Sequence, residues 1–168
     1  DRVAELGTEV ERDYGSSDAL LIAPLKSSTV FLADLSRAIR AQHSFDLVEL
    51  ADYAGESGGG VRLLKDIDIP IDDRHVLIVQ DVIDTGLTLH FLLRTLRLRH
   101  PASLAAVTLL DRPYRRLVDD LPLRYVGFTV PDELFAGYGL GLEERWRALP
   151  DIRFVRPEAL PAGATEAA

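Results

Sequence analysis

The hydrophobic pattern of the chain alternates between short apolar runs and stretches with helical spacing. The most informative run, residues 76–79, has four consecutive apolar side chains rich in β-branching and is too short for a helix. It predicts a central strand that is buried on both faces of a parallel sheet. From Leu89 onward leucines recur at helical spacing, so the polar loop after this strand leads into an amphipathic helix.

A second strand–loop–helix unit has the same pattern. Residues 19–25 form an apolar run, a lysine and three hydroxyl residues follow, and Leu32, Leu35 and Ile39 then recur at helical spacing. An N-terminal helix is predicted around Val3, Leu6 and Val10. Further strands are predicted at residues 45–51, 61–68, 104–110, 124–130 and 152–155, of which the last is expected to close the sheet.

The loop after residues 76–79 carries the most distinctive chemistry. A helix N-terminus offers unpaired N–H groups and a partial positive charge, and Thr85 and Thr88 add hydroxyls, so a phosphate would bind there. Asp81 and Asp84 would repel that phosphate unless they hold ribose hydroxyls, a cation or a proton in transit. Neither a P-loop motif nor G-x-G-x-x-G is present. The loop is therefore predicted to bind a phosphate and a sugar hydroxyl pair together.

The segment VLIVQDVIDTGLTL resembles the phosphoribosyl-pyrophosphate signature of type I phosphoribosyltransferases, above all those specific for hypoxanthine and guanine. An ordinary capped strand-to-helix turn is the alternative. The resemblance runs from about residue 3 to residue 155. It implies an α/β fold with a mostly parallel central sheet flanked by helices, a small hood and a flexible lid loop, forming a single domain over residues 1–156. The implied reaction transfers a 5-phosphoribosyl group to a 6-oxopurine, with Mg²⁺ as cofactor.

The resemblance also implies a role for each candidate residue. Asp84 corresponds to the general acid/base that handles the proton of the purine ring, and Asp81 to a magnesium ligand. Phosphoribosyl pyrophosphate is expected to contact Gln80, Asp81, Thr85, Gly86, Thr88, Lys26, Ser27, Arg116 and Arg147. The base is expected to contact Arg112, Leu134 and Phe135, and the lid to contribute Tyr53.

Several positions depart from the family's pattern. Substitutions include Ser27 for glycine, Gln80 for glutamate, Arg112 for lysine, Leu134 for an aromatic residue, and Gly141 for an aspartate that holds a second magnesium. Arginine differs from lysine in its planar, always charged fork. The departures leave open a divergent paralogue with altered base specificity, or a catalytically weak nucleotide-binding regulator. For Lys26 alone, a surface lysine before a capped helix is the alternative.

Residues 52–60 are rich in glycine and polar residues. This composition predicts a lid loop that closes over the substrates, although a plain flexible hairpin would have the same composition. A closed lid would keep water away from the reacting sugar. The small-residue tail, residues 157–168, is expected to be disordered.

Composition narrows the classes of partner. The chain has 168 residues, a net charge of −8 and no cysteine. The acidic balance argues against nucleic-acid binding, and the lack of cysteine excludes disulfides, Cys–zinc sites and a thiol nucleophile. No apolar run is long enough to cross a membrane. A cytoplasmic enzyme is expected, without nucleic-acid or membrane partners and with a homodimer or homotetramer as its assembly.

Overall fold

The computed structural model describes residues 1–55, 58–142, 144–156 and 158, with the side chains of 52–59 outside the described part. Helices are separated by one or more strands, in the order that the hydrophobic pattern predicts. The elements are α1 (Arg2–Tyr14), β1 (Ala19–Pro24), α2 (Ser28–Ala38), β2 (His43–Gly55), β3 (Gly58–Lys65), β4 (His75–Ile83), α3 (Leu87–Arg97), β5 (Ser103–Asp111), β6 (Leu123–Thr129), β7 (Phe135–Ala136) and β8 (Arg153–Phe154).

The main sheet has six strands in the order β3-β2-β1-β4-β5-β6. All neighbours are parallel except β3, which pairs antiparallel with β2 at one edge. The predicted mostly parallel sheet is therefore confirmed. The prediction that residues 152–155 close this sheet is wrong, because β8 pairs antiparallel with β7 in a separate two-stranded sheet. A two-residue strand after a long loop carries no period from which its partner could be predicted.

The core lies on both faces of the sheet because alternate side chains of each strand point to opposite sides. In β1, Leu21 packs in a cluster with helices α1 and α2, whereas Leu20 packs in a cluster with α3. Both leucines are fully buried. The continuous apolar run of this strand therefore corresponds to a strand covered by helices on both faces.

The four residues of the run at 76–79 divide between the two faces in the same way. Leu77 and Val79 lie on the side of α1 and α2, while Val76 and Ile78 lie on the side of α3. All four side chains are fully buried. This alternation fixes the register of β4 at the centre of the sheet.

The loops that carry the candidate residues follow the carboxyl ends of neighbouring strands. β1 and β4 lie side by side, and the chain continues from β1 to β2 on one side and from β4 to β5 on the other. Ligands of open α/β sheets bind outside such a point, where the strand order reverses. The loops after β1, β4 and β5 therefore converge on one crevice.

Most of the range predicted as a lid belongs to the β2–β3 hairpin. Tyr53 pairs through its backbone with Gly60, but its side chain lies outside the described residues, as do residues 56 and 57. Closure of the lid stays a prediction. The tail predicted for residues 157–168 also lies outside the described residues, apart from Glu158. None of the described helices has the length and hydropathy needed to span a membrane.

Candidate active site

The loop between β4 and α3 turns sharply at Gly86. This residue has a φ of 83°, in the left-handed region that favours glycine. A Cβ there would lie 2.8 Å from Leu121 Cδ1 and 3.1 Å from Arg116 Cδ. The turn lets α3 begin at Leu87, and a cavity of about 1140 Å³ extends from this N-terminus along the helix to Leu98. The predicted substrate residues that line this cavity are Gln80, Asp84, Thr85, Gly86 and Thr88.

Asp81 is buried beside the start of α2. The hydroxyl of Ser28 donates to Asp81 Oδ1 at 2.8 Å, and the backbone N–H of Asp81 donates back to Ser28 Oγ at 3.2 Å. Burial raises the pKa of Asp81, and the Ser28 hydrogen bond only partly opposes that rise. Asp81 Oδ2 is buried and has no hydrogen-bond partner in the described part of the chain. One oxygen of this carboxylate is therefore left for a ligand.

Asp84 lies against the guanidinium of Arg112. Arg112 Nη1 donates to Asp84 Oδ2 at 3.2 Å, and Arg112 Nη2 donates to Asp132 Oδ1 at 2.5 Å. The Arg112 side chain is only 6% exposed, so this is a buried contact between the predicted base reader and the predicted acid/base. Arg115 also donates to Asp132 Oδ1, at 2.6 Å. The hydrogen bonds from Arg115 and Arg112 lower the pKa of Asp132.

Arg116 connects the loop between β4 and α3 to the end of β5. Its Nε donates to the backbone oxygen of Asp84 at 3.2 Å, and its Nη2 forms an ion pair with Asp111. The backbone N–H of Leu117 donates to the carbonyl of Thr85 at 2.9 Å. The segment after β5 thus holds the loop after β4 in place through both backbone and side-chain contacts.

Lys26 and Arg147 share one acidic partner although they are far apart in sequence. Lys26 Nζ donates to Glu144 Oε2 and Arg147 Nη2 to Glu144 Oε1, both at 3.0 Å. These two contacts, with Arg147 first, lower the pKa of Glu144. The structure therefore brings together two cations that the sequence assigns to pyrophosphate. Ser27 has an ordinary right-handed conformation, with φ −63° and ψ −39°, so its backbone does not require glycine.

Gly141 is covered by the side chain of Arg147. A Cβ at Gly141 would lie 2.7 Å from Arg147 Cγ and 2.9 Å from both Nε and Cζ. Arg147 Nη1 also donates to the backbone oxygen of Gly139 at 2.9 Å. The space that a side chain at residue 141 would need is therefore filled by a guanidinium.

The other two residues predicted to contact the base, Leu134 and Phe135, lie just after Asp132. The carbonyl of Leu134 accepts a hydrogen bond from the backbone N–H of Val155 at 2.8 Å. The ring of Phe135 packs against that of Phe154, with a centroid distance of 5.0 Å. Asp132 links this segment to Arg112, so the predicted base-binding residues are connected in space.

Magnesium would meet oxygen donors in this site. Gln80 Oε1 and Asp81 Oδ2 are both buried without a partner in the described part of the chain. No group of three or more His, Cys, Asp or Glu side chains that could hold a metal occurs among the described residues. Mg²⁺ commonly binds through one or two carboxylates plus substrate phosphates, so Asp81 Oδ2 fits an ion that the substrate also holds. Gln80 points to the other face of β4, into the cavity beside α3.

Sequence reasoning missed four residues that shape the site. They are Ser28, Asp111, Asp132 and Glu144. Ser28 could be recognised from the sequence, because it is a hydroxyl residue placed after the β1 strand, where α2 begins. Asp111 and Glu144 also had a local indication, because Arg116 and Arg147 follow them by five and three residues. Asp132 had none, because its contact with Arg112 forms only where two separate strand ends meet.

Comparison with known proteins agrees with this geometry. The family model described as "Phosphoribosyl transferase domain" matches residues 1–140. The chain belongs to the phosphoribosyltransferase family. A hypoxanthine-guanine phosphoribosyltransferase of Mycobacterium avium is 43% identical over 164 residues, which cover 93% of this chain and 80% of that protein.

Solved structures of the family superpose on the chain over most of its length. A hypoxanthine-guanine phosphoribosyltransferase from Bacillus anthracis has a TM-score of 0.83 at 45% identity, covering 90% of this chain and 88% of the other. A hypoxanthine phosphoribosyltransferase from Trypanosoma cruzi in complex with the product IMP has a TM-score of 0.88 at 36% identity, covering 95% and 90%. The predicted family, fold and enzyme class are therefore confirmed.

Proposed function

We propose that the protein transfers the 5-phosphoribosyl group of phosphoribosyl pyrophosphate to hypoxanthine or guanine, giving IMP or GMP and pyrophosphate in purine salvage. The main support is the position of Asp84. Its Oδ1 is buried and without a partner in the described part of the chain, while Oδ2 contacts Arg112. A carboxylate with one free oxygen beside a donor-only side chain suits a base that carries a ring N–H and an exocyclic oxygen.

The substrate phosphates are proposed to bind at two places. The 5′-phosphate would lie at the N-terminus of α3, near Thr85 and Thr88, where backbone N–H groups are available. The pyrophosphate would meet Lys26, Arg147 and Arg116, whose charges stabilise the departing group.

Asp81 and Gln80 are proposed to hold ribose hydroxyls and, through Asp81, Mg²⁺. When bound, Mg²⁺ would neutralise charge that develops on the pyrophosphate. The buried, unpaired Oδ2 of Asp81 supports the Mg²⁺ part of this assignment, and the position of Gln80 in the cavity beside α3 supports the ribose part. Since one of the two side chains is an uncharged amide, the protein itself contributes less negative charge to the ion than two carboxylates would.

Arg112 is proposed to select 6-oxopurines. A guanidinium has only donors, so it satisfies the oxygen of hypoxanthine and leaves the amino group of adenine facing another donor. Such a buried mismatch costs about 1–3 kcal/mol, which corresponds to discrimination of about tenfold or more. A panel of hypoxanthine, guanine, xanthine and adenine, with phosphoribosyl pyrophosphate and Mg²⁺, tests the proposal. Transfer to adenine as efficient as transfer to hypoxanthine would contradict the assignment of Arg112.

A catalytically weak nucleotide-binding protein is the second candidate. It is favoured by Gln80 and Gly141, which supply no carboxylate at positions where the family resemblance implies one. Tight IMP binding without measurable transfer from any base in the panel would favour this alternative. The Mg²⁺ requirement, the homodimeric or homotetrameric assembly and the cytoplasmic location stay predictions.

A further inference from the structure

The guanidinium of Arg112 is shared between two acids, and this sharing leaves one buried oxygen of Asp84 without a hydrogen-bond partner in the described part of the chain. Nη1 donates to Asp84 at 3.2 Å, whereas Nη2 donates to Asp132 at 2.5 Å. The Asp84 side chain is 18% exposed, and its Oδ1 has no partner in the described part of the chain. The carboxylate therefore keeps a free oxygen although an arginine lies directly against it.

An arginine and a carboxylate commonly form two parallel hydrogen bonds. That arrangement would place a charged donor on both oxygens of Asp84, so neither oxygen would be free of a protein donor when the base delivers its proton. In this structure one end of the Arg112 fork is instead engaged by Asp132, which follows β6. The single bond between Arg112 and Asp84 is thus coupled to the presence of a second acid.

We propose that Asp132 is a positioning residue, which holds Nη2 of Arg112 and thereby keeps Asp84 Oδ1 available to the purine ring proton. This inference rests on the proposed function. Arg115 donates to the same oxygen of Asp132, which restrains that carboxylate. Asp132 acts through Arg112 and has no direct role in proton transfer.

The arrangement depends on the arginine at residue 112. A lysine ammonium has a single nitrogen and cannot form a two-bond fork with a carboxylate. With lysine at this position, no second acid is needed to keep an oxygen of Asp84 free. The contribution of Asp132 should therefore largely disappear in an Arg112→Lys background.

Steady-state kinetics on four proteins test this dependence. The proteins are the native chain, Asp132→Ala, Arg112→Lys and the double variant, assayed with hypoxanthine, phosphoribosyl pyrophosphate and Mg²⁺. We expect Asp132→Ala, which removes the acceptor of Arg112 Nη2, to lower kcat by about tenfold or more in the native background. In the Arg112→Lys background the same change should lower kcat by less than about twofold.

Two further variants separate positioning from a general loss of structure. Asp132→Glu keeps the carboxylate and should recover part of the lost kcat. Asp66→Asn removes another Arg–Asp pair of similar exposure, since Asp66 and Arg99 are 47% and 34% exposed and Asp132 and Arg115 are 50% and 30% exposed. It should leave kcat unchanged. An unchanged kcat in Asp132→Ala, or an equal loss in both backgrounds, would overturn the inference.

A crystal structure of Asp132→Ala tests the geometry without any turnover. We expect the Arg112 guanidinium to turn and form two hydrogen bonds with Asp84. If it keeps its single bond, the inference is wrong even when the native protein is active. Absence of transfer by the native protein would contradict the proposed function instead, and this crystal structure would then decide the inference.

Discussion

The carboxylate of Asp84 lies between an arginine and an open cavity, which makes it the residue whose substitution should be most informative. Its backbone oxygen accepts from Arg116, so the residue is held by both its main chain and its side chain. Replacement by asparagine keeps the size of the side chain and one acceptor oxygen, which can still face Arg112. It removes the negative charge, and with it the ability to accept a proton.

Asp84→Asn is therefore expected to lower kcat by about two to four orders of magnitude. Binding of phosphoribosyl pyrophosphate should persist, because the phosphate contacts come from α3 and from separate cations. Turnover assays measure the first effect, and the rise in melting temperature with phosphoribosyl pyrophosphate and Mg²⁺ measures the second. Near-normal turnover would refute the role assigned to Asp84.

Gly141 offers a test of how Arg147 is held. In Gly141→Ala the new Cβ would meet Arg147 Cγ at 2.7 Å, so the side chain must shift. We expect the KM for phosphoribosyl pyrophosphate to rise about fivefold or more, because a hydrogen bond to a charged group contributes about 1.5–3 kcal/mol. In an Arg147→Ala background the same change should have no further effect on KM. A further rise there would show that Gly141 acts independently of Arg147.

The β2–β3 hairpin is anchored at its base by one buried acid. Asp46 accepts hydrogen bonds from the backbone N–H groups of Leu47, Asp68 and Ile69, at 2.7, 2.7 and 3.0 Å. Burial opposes ionisation of this carboxyl, but the three N–H donors outweigh it and lower its pKa. The ionised form of Asp46 therefore stabilises the chain segment that follows the hairpin.

Asp46→Asn is expected to lower the free energy of unfolding at pH 7 by about 1–3 kcal/mol. The pKa of Asp46 is lower in the folded state than in the unfolded state. The contribution of Asp46 to the free energy of unfolding is therefore complete above its unfolded-state pKa of about 4, and it is lost as the pH falls through the folded-state pKa. The difference between the two proteins should therefore shrink below about pH 4. Denaturant titrations of both proteins from pH 7 to pH 3 measure this difference in the free energy of unfolding.

Asp68→Asn is the matched control for this series. Asp68 is 81% exposed and pairs with Lys65 at 3.0 Å. An exposed pair contributes about 0–1 kcal/mol, so its loss should have little effect at any pH. Equal effects of the Asp46 and Asp68 substitutions would contradict the anchoring role of Asp46.

Across the whole molecule, the sequence predicts the elements better than the contacts between them. The run at residues 76–79 and the leucines after Leu89 establish β4 and α3, because periodicity reports burial directly. The pairing of β8 with β7 is not predictable in this way, since a two-residue strand has no usable period. The role of Asp132 is not predictable either, because its contact with Arg112 depends on how two separate strand ends approach each other.

The side chains that are predicted to bind pyrophosphate are paired with acids, and this pairing should affect the rate at which the substrate associates. Lys26 and Arg147 both pair with Glu144, and Arg116 pairs with Asp111. With these charges balanced locally and a net charge of −8, the protein should repel an approaching polyanion at long range. Raising the ionic strength from about 10 mM to about 150 mM shortens the Debye length from about 30 Å to about 8 Å.

At constant Mg²⁺, the bimolecular association rate of phosphoribosyl pyrophosphate should therefore increase with added NaCl. Stopped-flow binding measurements over this range can test the trend. An association rate that falls with salt would mean that the cations attract the substrate before contact. A rate that rises with salt would mean that the cations do not attract the substrate during diffusion. They would then contact it only after the substrate has displaced their partners Glu144 and Asp111.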